Sequence, residues 1–178
     1  MLSKGVKLSV KLPTVTVVIC ARNAAPHLRR SVPAAMAQDY PKSRFKVLVV
    51  DNDSTDETAE TGRSLGAIVR SCPRRGVVWA REFGWRAARS ELIAYLDADC
   101  EPSSDWLGRL SGLFSKDPEL GIAGVRLTSP EPETLAERHI IESRILDTDR
   151  FWARNALQFP FVVTAGMMVR RRALESVG

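Results

Sequence analysis

Cysteine is scarce in the 178-residue sequence: Cys20, Cys72 and Cys100 are an odd number, widely spaced, with no CxxC pair. That excludes a zinc knuckle and a redox dithiol, and it leaves reduced, partly buried thiols as the expectation. The two histidines, His27 and His139, stand alone without metal-ligand spacing and read as surface residues. No apolar run reaches the ~18–20 residues needed to span a bilayer. The lysine-dotted start from Met1 to Pro13 has no apolar segment of signal-peptide type, so the expected compartment is the cytoplasm, the inner face of the membrane included. Glycine-rich phosphate loops are missing as well. The first apolar run leads into Cys20-Ala21-Arg22-Asn23-Ala24-Ala25 rather than GxGxxG, and there is no GxxxxGK followed by Ser or Thr. The backbone therefore cannot hug a pyrophosphate as dinucleotide-binding and P-loop folds do.

What is present is an ordinary globular composition, 44% hydrophobic and 26% charged, in a one-domain length. The excess of 26 Lys+Arg over 21 Asp+Glu gives +5, which suits nucleic acid, an anionic membrane surface or a phosphorylated small molecule. The basic clusters, Arg70 with Arg74-Arg75 and Arg170-Arg171-Arg172, are not interleaved with aromatics, so nucleic acid is set aside and both read as solvated surface.

Hydrophobic periodicity alternates between two types. Val15–Cys20 and Phe45–Val50 are short apolar runs of the kind buried on both faces of a sheet, and Ala67–Arg70 and Leu92–Leu96 read as a third and a fourth strand. Between them, helical spacing appears at Leu28, Val32, Ala35 and Met36, with Pro33 expected to kink or shorten the helix, then over Glu57–Leu65 and over Val77–Arg89. Pro102 opens a helix with a stripe of Trp106, Leu107, Leu110, Leu113 and Phe114. Further elements are expected as a strand over Gly121–Leu127, a charged amphipathic helix over Thr134–Trp152, a strand over Phe161–Val169 and a helix over Arg171–Val177. Trp106, Trp152 and Phe159 to Phe161 read as core, the last group alternatively facing a lipid. Strand and helix alternation implies a mainly parallel sheet covered on both sides, with ligands beyond the carboxyl ends of its strands.

Three polar clusters fall at such ends: Ala21-Arg22-Asn23, Asp51-Asn52-Asp53 and Asp97-Ala98-Asp99. If the strands are neighbours, the clusters share one rim. Asp97 and Asp99 are two apart, so in an extended segment both carboxylates point the same way. A hard divalent cation, Mg²⁺ or Mn²⁺, relieves their repulsion and takes its remaining ligands from substrate phosphates and water. The competing reading is two solvated acids before the Pro102 helix. A diphosphate bound here has to be held by metal and basic side chains, Asp99 through the metal and Arg81 directly. A phosphoacceptor receiver domain is disfavoured because no lysine partners an Asp after the third strand.

The segments VTVVICARN, a helix ending QDYP, FKVLVVDNDSTDETAE, ARSELIAYLDADCEPSSDWL and TAGMMVRRRALESVG, in that order, resemble the family 2 glycosyltransferases of the GT-A fold. The likeness runs from about Pro13 to Gly178, leaving 1–12 as an N-terminal extension. It implies an α/β, Rossmann-like GT-A sandwich that transfers a sugar from a nucleoside diphosphate sugar, UDP- or GDP-linked, to a glycan or lipid-linked hydroxyl with inversion. Residue by residue, Cys20, Arg22 and Asn23 fall on its first nucleotide loop, and Asp51, Asn52 and Asp53 on the cluster that reads base and ribose. Asn52 stands where many members have an Asp that contacts a uracil. Arg81 falls in a segment like the family's "ARN.G", with Glu82 in place of Asn. Asp97, Ala98 and Asp99 fall on its DxD, Asp99 as the direct metal ligand. Thr164, Ala165 and Gly166 lie toward the acceptor and donor-sugar side. The family's general base belongs to an acidic motif beyond the segment that closes this sequence, so the resemblance implies a domain incomplete at its C-terminal end. Asp147, Asp149 and Glu142 read as helix surface charges rather than the base. The alternative to an active transferase is a nucleotide-sugar-binding module without the base.

Overall fold

The computed structural model describes residues 12–129, 131–132, 134–143 and 162–177. Six strands form one sheet in the order β3-β2-β1-β4-β6-β5: β1 (Val15–Ala21), β2 (Phe45–Asp51), β3 (Ile68–Ser71), β4 (Leu92–Asp97), β5 (Ile122–Gly124) and β6 (Gly166–Arg170). β1 to β4 pair in parallel, and β6 runs antiparallel to both β4 and β5. The sheet is sandwiched as expected. α1 (Ala25–Met36), α2 (Thr58–Ser64) and α4 (Trp106–Lys116) share one core with Val15, Val17, Ile19 and Ala21 of β1. α3 (Val77–Ala87) and α6 (Arg171–Val177) share the other with Val18, Val50 and Tyr95. Burial of β1 and β4 from both sides explains why their sequences are unbroken apolar runs rather than alternating ones.

Several expectations are corrected. Pro33 does not end α1, which runs one turn past it, and Ala37 donates to the Pro33 carbonyl at 2.9 Å. Leu113 is exposed while Ser111 is fully buried, because Leu113 lies about 90° from the centre of the buried arc at 100° per residue. The strand expected over Gly121–Leu127 is only Ile122–Gly124. The strand expected over Phe161–Val169 is Gly166–Arg170, preceded by a turn at Thr164 and Ala165. The long helix is α5, Leu135–Ser143 within the described residues. It starts with a reciprocal cap in which Glu137 accepts from the Thr134 amide at 2.8 Å and the Thr134 hydroxyl accepts from the Glu137 amide at 3.2 Å. Residues 1–11 of the extension, Asp147, Asp149, Trp152 and Phe159 to Phe161 lie outside the described residues. Among those described, no helix is long and apolar enough to cross a membrane.

Of the triplet Arg170–Arg172, the first two are structural rather than solvated, while Arg172 is exposed. Arg170 donates to the carbonyls of Phe114, Asp117 and Leu120 at the end of α4, and Arg171 to those of Ala88 and Trp85 at the end of α3. Carbonyls left open at helix ends are natural partners for guanidinium groups.

The entry to α1 is held from a distance. Ala24 offers no side-chain cap; its amide donates to the Thr58 hydroxyl at 2.8 Å and the Ala25 amide to Asp56 at 3.3 Å. The Thr58 hydroxyl also donates to Asp56, and these bonds, the Thr58 one foremost, hold the Asp56 carboxyl below its ordinary 3.8. A depressed carboxylate adds stability that is present above the unfolded pKa and is lost as pH falls through the folded one. Asp56→Ala is therefore expected to lower the melting temperature at pH 7, with the gap closing below pH 3.8. A gap that stays constant down to acid-unfolding conditions would contradict the assignment.

Candidate functional site

At the carboxyl end of β1 the chain has β2 on one side and β4 on the other, the point where an open parallel sheet forms a crevice. A cleft of about 280 Å³ lies there. One wall is Cys20, Ala21, Arg22 and Asn52; the other is Arg75 and Gly76 from the β3–α3 connection with Val77 and Ala80 of α3. The first wall matches the strand-end clusters expected from sequence. On the second, Arg75 was named only within a basic cluster read as solvated surface, and its sequence signal is the Arg-Gly step before α3. Gly76 has φ +127° and its added Cβ would sit 3.2 Å from the Trp79 ring, so only glycine fits.

Asn52 is buried and both ends of its side-chain amide are engaged. Nδ2 donates to the Arg74 carbonyl at 2.8 Å, and Oδ1 accepts from the Gly76 amide at 2.7 Å. Arg74 stacks on the Trp79 ring at 3.1 Å. Arg22 and Arg75 are exposed and have no carboxylate partner among the described residues. No acidic side chain lines the cleft, so its field favours an anion.

Next to the cleft, Asp97 pairs in register with Cys20, and Asp99 follows in the turn after β4. Arg81 faces Asp97 at 3.6 Å and donates to the Thr164 hydroxyl at 2.6 Å, so it ties the turn before β6 to the acidic pair rather than lining the cleft. Burial raises the Asp97 carboxyl above its ordinary value and the neighbouring Asp99 adds to this, while Arg81 opposes both. Burial also pushes the Cys20 thiol up to about 12 and the Cys100 thiol up to about 11. Both are protonated at neutral pH, which removes them as nucleophiles.

The remaining predicted residues are spread around this rim. Asp51 pairs with Ala21 and so shares its face of the sheet; it is buried, with one carboxylate oxygen unpartnered. Asn23 and Asp53 are exposed with φ of +49° and +62°, a region Asn and Asp tolerate. Asn23 accepts from the Thr55 amide at 2.8 Å and its own amide donates to Ser54 at 3.0 Å, joining the first two clusters. Ala98 packs on the α1–α4 core, and Ala165 is buried beside Gly166.

The model of the family "Glycosyl transferase family 2" matches residues 16–178. The chain belongs to this family. Among curated relatives, glycosyltransferase AglE of Haloferax volcanii is 32% identical over 174 residues, 94% of this chain and 56% of that protein. Among solved structures, the mannosyltransferase PcManGT of Pyrobaculum calidifontis, in complex with GDP-Man and Mn²⁺, matches with a TM-score of 0.70 at 24% identity, covering 94% of this chain and 47% of that one. Glucosyl-3-phosphoglycerate synthase of Mycobacterium tuberculosis, in complex with Mn²⁺, UDP and glucosyl-3-phosphoglycerate, matches at 0.62 and 17% identity, over 90% of this chain and 57% of that one. These likenesses establish the GT-A fold. The chain spans about half the length of these relatives.

Proposed function

We propose that this family 2 domain binds a nucleoside diphosphate sugar and transfers the sugar, with inversion, to an acceptor hydroxyl. The observation that carries the reading is the meeting, at one end of the sheet, of an arginine-walled cleft and the Asp97–Asp99 pair. A donor lying across both would place its diphosphate between the arginines of the cleft and the carboxylates. The acceptor oxygen then bonds to the anomeric carbon from the opposite face as the bond to the diphosphate oxygen breaks, and the acceptor's proton passes to a base. Glu142 is exposed on α5, and no residue is assigned as that base.

The donor set fits a divalent metal of the Mg²⁺ or Mn²⁺ kind. Among the described residues no three His, Cys, Asp or Glu side chains group to hold an ion by themselves. Two carboxylates are enough when phosphate oxygens and water complete the shell, which is how such hard cations bind substrates. Asp99, exposed, and Asp97, half-buried, would hold it, and when bound it would neutralise charge on the departing diphosphate. Arg81 would keep Asp97 oriented through its contacts with Asp97 and Thr164.

Calorimetry with UDP-glucose and GDP-mannose tests the reading. Binding of one of them is expected to strengthen with Mn²⁺, and Asp99→Ala to weaken it by roughly 10–100-fold, the effect of losing a charge-assisted ligand. Binding that ignores both Mn²⁺ and Asp99→Ala, or no binding at all, would overturn it. Release of free sugar or glycoside separates transfer from binding alone.

A further inference from the structure

We infer that Arg75 is the residue that grips the anionic part of the donor and that Asn52 is a positioning residue for it rather than a reader of the base. This deepens the proposed donor site and rests on that reading.

The family resemblance points the other way, since it puts a base-contacting carboxylate at position 52. In this chain both ends of the side-chain amide are held by the loop before α3. Its amide nitrogen holds the Arg74 carbonyl at 2.8 Å and its amide oxygen holds the Gly76 amide at 2.7 Å. These are the residues on either side of Arg75, so one buried side chain clamps the backbone around it. The Cys72 thiol supplies another contact to the Arg74 carbonyl at 3.2 Å. Gly76, in a conformation reserved for glycine, turns the chain directly into α3. The result is a loop with a fixed backbone and one unengaged guanidinium facing the cleft, opposite Arg22. Arg74, one residue away, is used differently: its guanidinium lies on Trp79 and does not line the cleft.

The amide is chemically required at 52. A carboxylate accepts hydrogen bonds but cannot donate one, so an Asp there would keep the bond from the Gly76 amide and face the Arg74 carbonyl with a second acceptor. The arginine in the loop and the asparagine beneath it belong together. A fork of N–H donors held in place binds phosphate oxygens well because little freedom is lost on binding.

The test compares the affinities of UDP and GDP, in Mn²⁺, with those of uridine and guanosine measured by competition. Arg75→Ala is expected to weaken the diphosphate that binds by about 10-fold or more while leaving its nucleoside unchanged, and Arg74→Ala to leave both unchanged. Asn52→Ala, which removes the clamp without adding a charge to the cleft, is expected to weaken the diphosphate in the same manner. Combined with Arg75→Ala it should add nothing, since the two act through one contact. Equal loss of nucleoside and diphosphate in Arg75→Ala would place Arg75 on the base and overturn the inference. So would an Asn52→Ala variant that binds as well as the unsubstituted chain, or losses that add in the double variant. If the unsubstituted chain binds neither diphosphate, the donor-site reading falls with it; if it binds and Arg75→Ala changes nothing, this inference alone falls.

Discussion

Gly84→Val is expected to destabilise the domain by about 3 kcal/mol, at the upper end of overpacking effects. α3 crosses β1 so closely that a Cβ at residue 84 would lie 2.5 Å from Cγ1 of Val18 and 3.3 Å from Cγ2 of Val50. Neither valine has room to retreat. Val18 and Val50 are fully buried on adjoining strands of the parallel sheet. The helix must lift instead, and with it Arg81 and Ala80 one turn earlier, so weaker donor binding should accompany the loss. Gly112→Ala is the matched control. Nothing lies within 4 Å of a Cβ there, and the residue is in the interior of α4. That change should stabilise by about 0.5–1 kcal/mol through helix propensity alone. Denaturant midpoints measure both. A Gly84→Val midpoint equal to that of the unsubstituted chain would mean that α3 does not sit on β1 as described.

Arg170→Ala is expected to cost about 2–4 kcal/mol, the range for removing several hydrogen bonds to a charged group. Its Nε reaches the Leu120 carbonyl at 3.0 Å, and one Nη reaches those of Phe114 at 3.0 Å and Asp117 at 3.2 Å. The guanidinium also covers the Phe114 ring at 5.2 Å. One side chain on β6 thus closes the end of α4 and the approach to β5. Arg170→Lys should recover only part of the loss, because a single ammonium cannot reproduce the planar fork. Full recovery by lysine would show that charge alone matters at this position.

These two residues also show what sequence reasoning can and cannot reach. The inner strands of the parallel half were legible because burial on both faces demands continuous apolar runs, as in Val15–Ala21 and Phe45–Asp51. The rim positions followed, since Cys20, Asp51 and Asp97 simply end those runs. Arg170–Arg172 looked like solvated charge because their partners are mainly backbone carbonyls, which leave no mark in the sequence. β6 was displaced for a related reason. Apolar content begins earlier, but pairing of Leu96 with Gly166 sets where the strand starts, and Arg170 is its last residue. The far wall of the cleft was hidden because Arg75 is placed by Asn52, more than twenty residues before it, through bonds to backbone alone.

The site itself divides in the same way. Asp97 and Asp99 were recognisable from their spacing and from the strand before them. Arg81 was recognised as a candidate for the diphosphate, yet its partners Asp97 and Thr164 give it a bridging place between the acidic turn and β6. In the proposed reaction it orders the acids, and the guanidinium groups of Arg22 and Arg75 meet the donor.

The most direct measurement is a crystal structure of the chain with Mn²⁺ and the diphosphate, UDP or GDP, that binds more tightly. The account predicts the nucleotide in the cleft between Arg22 and Arg75, with Mn²⁺ bridging its phosphates to Asp99. A nucleotide lodged elsewhere, or a metal remote from both Asp97 and Asp99, would contradict it.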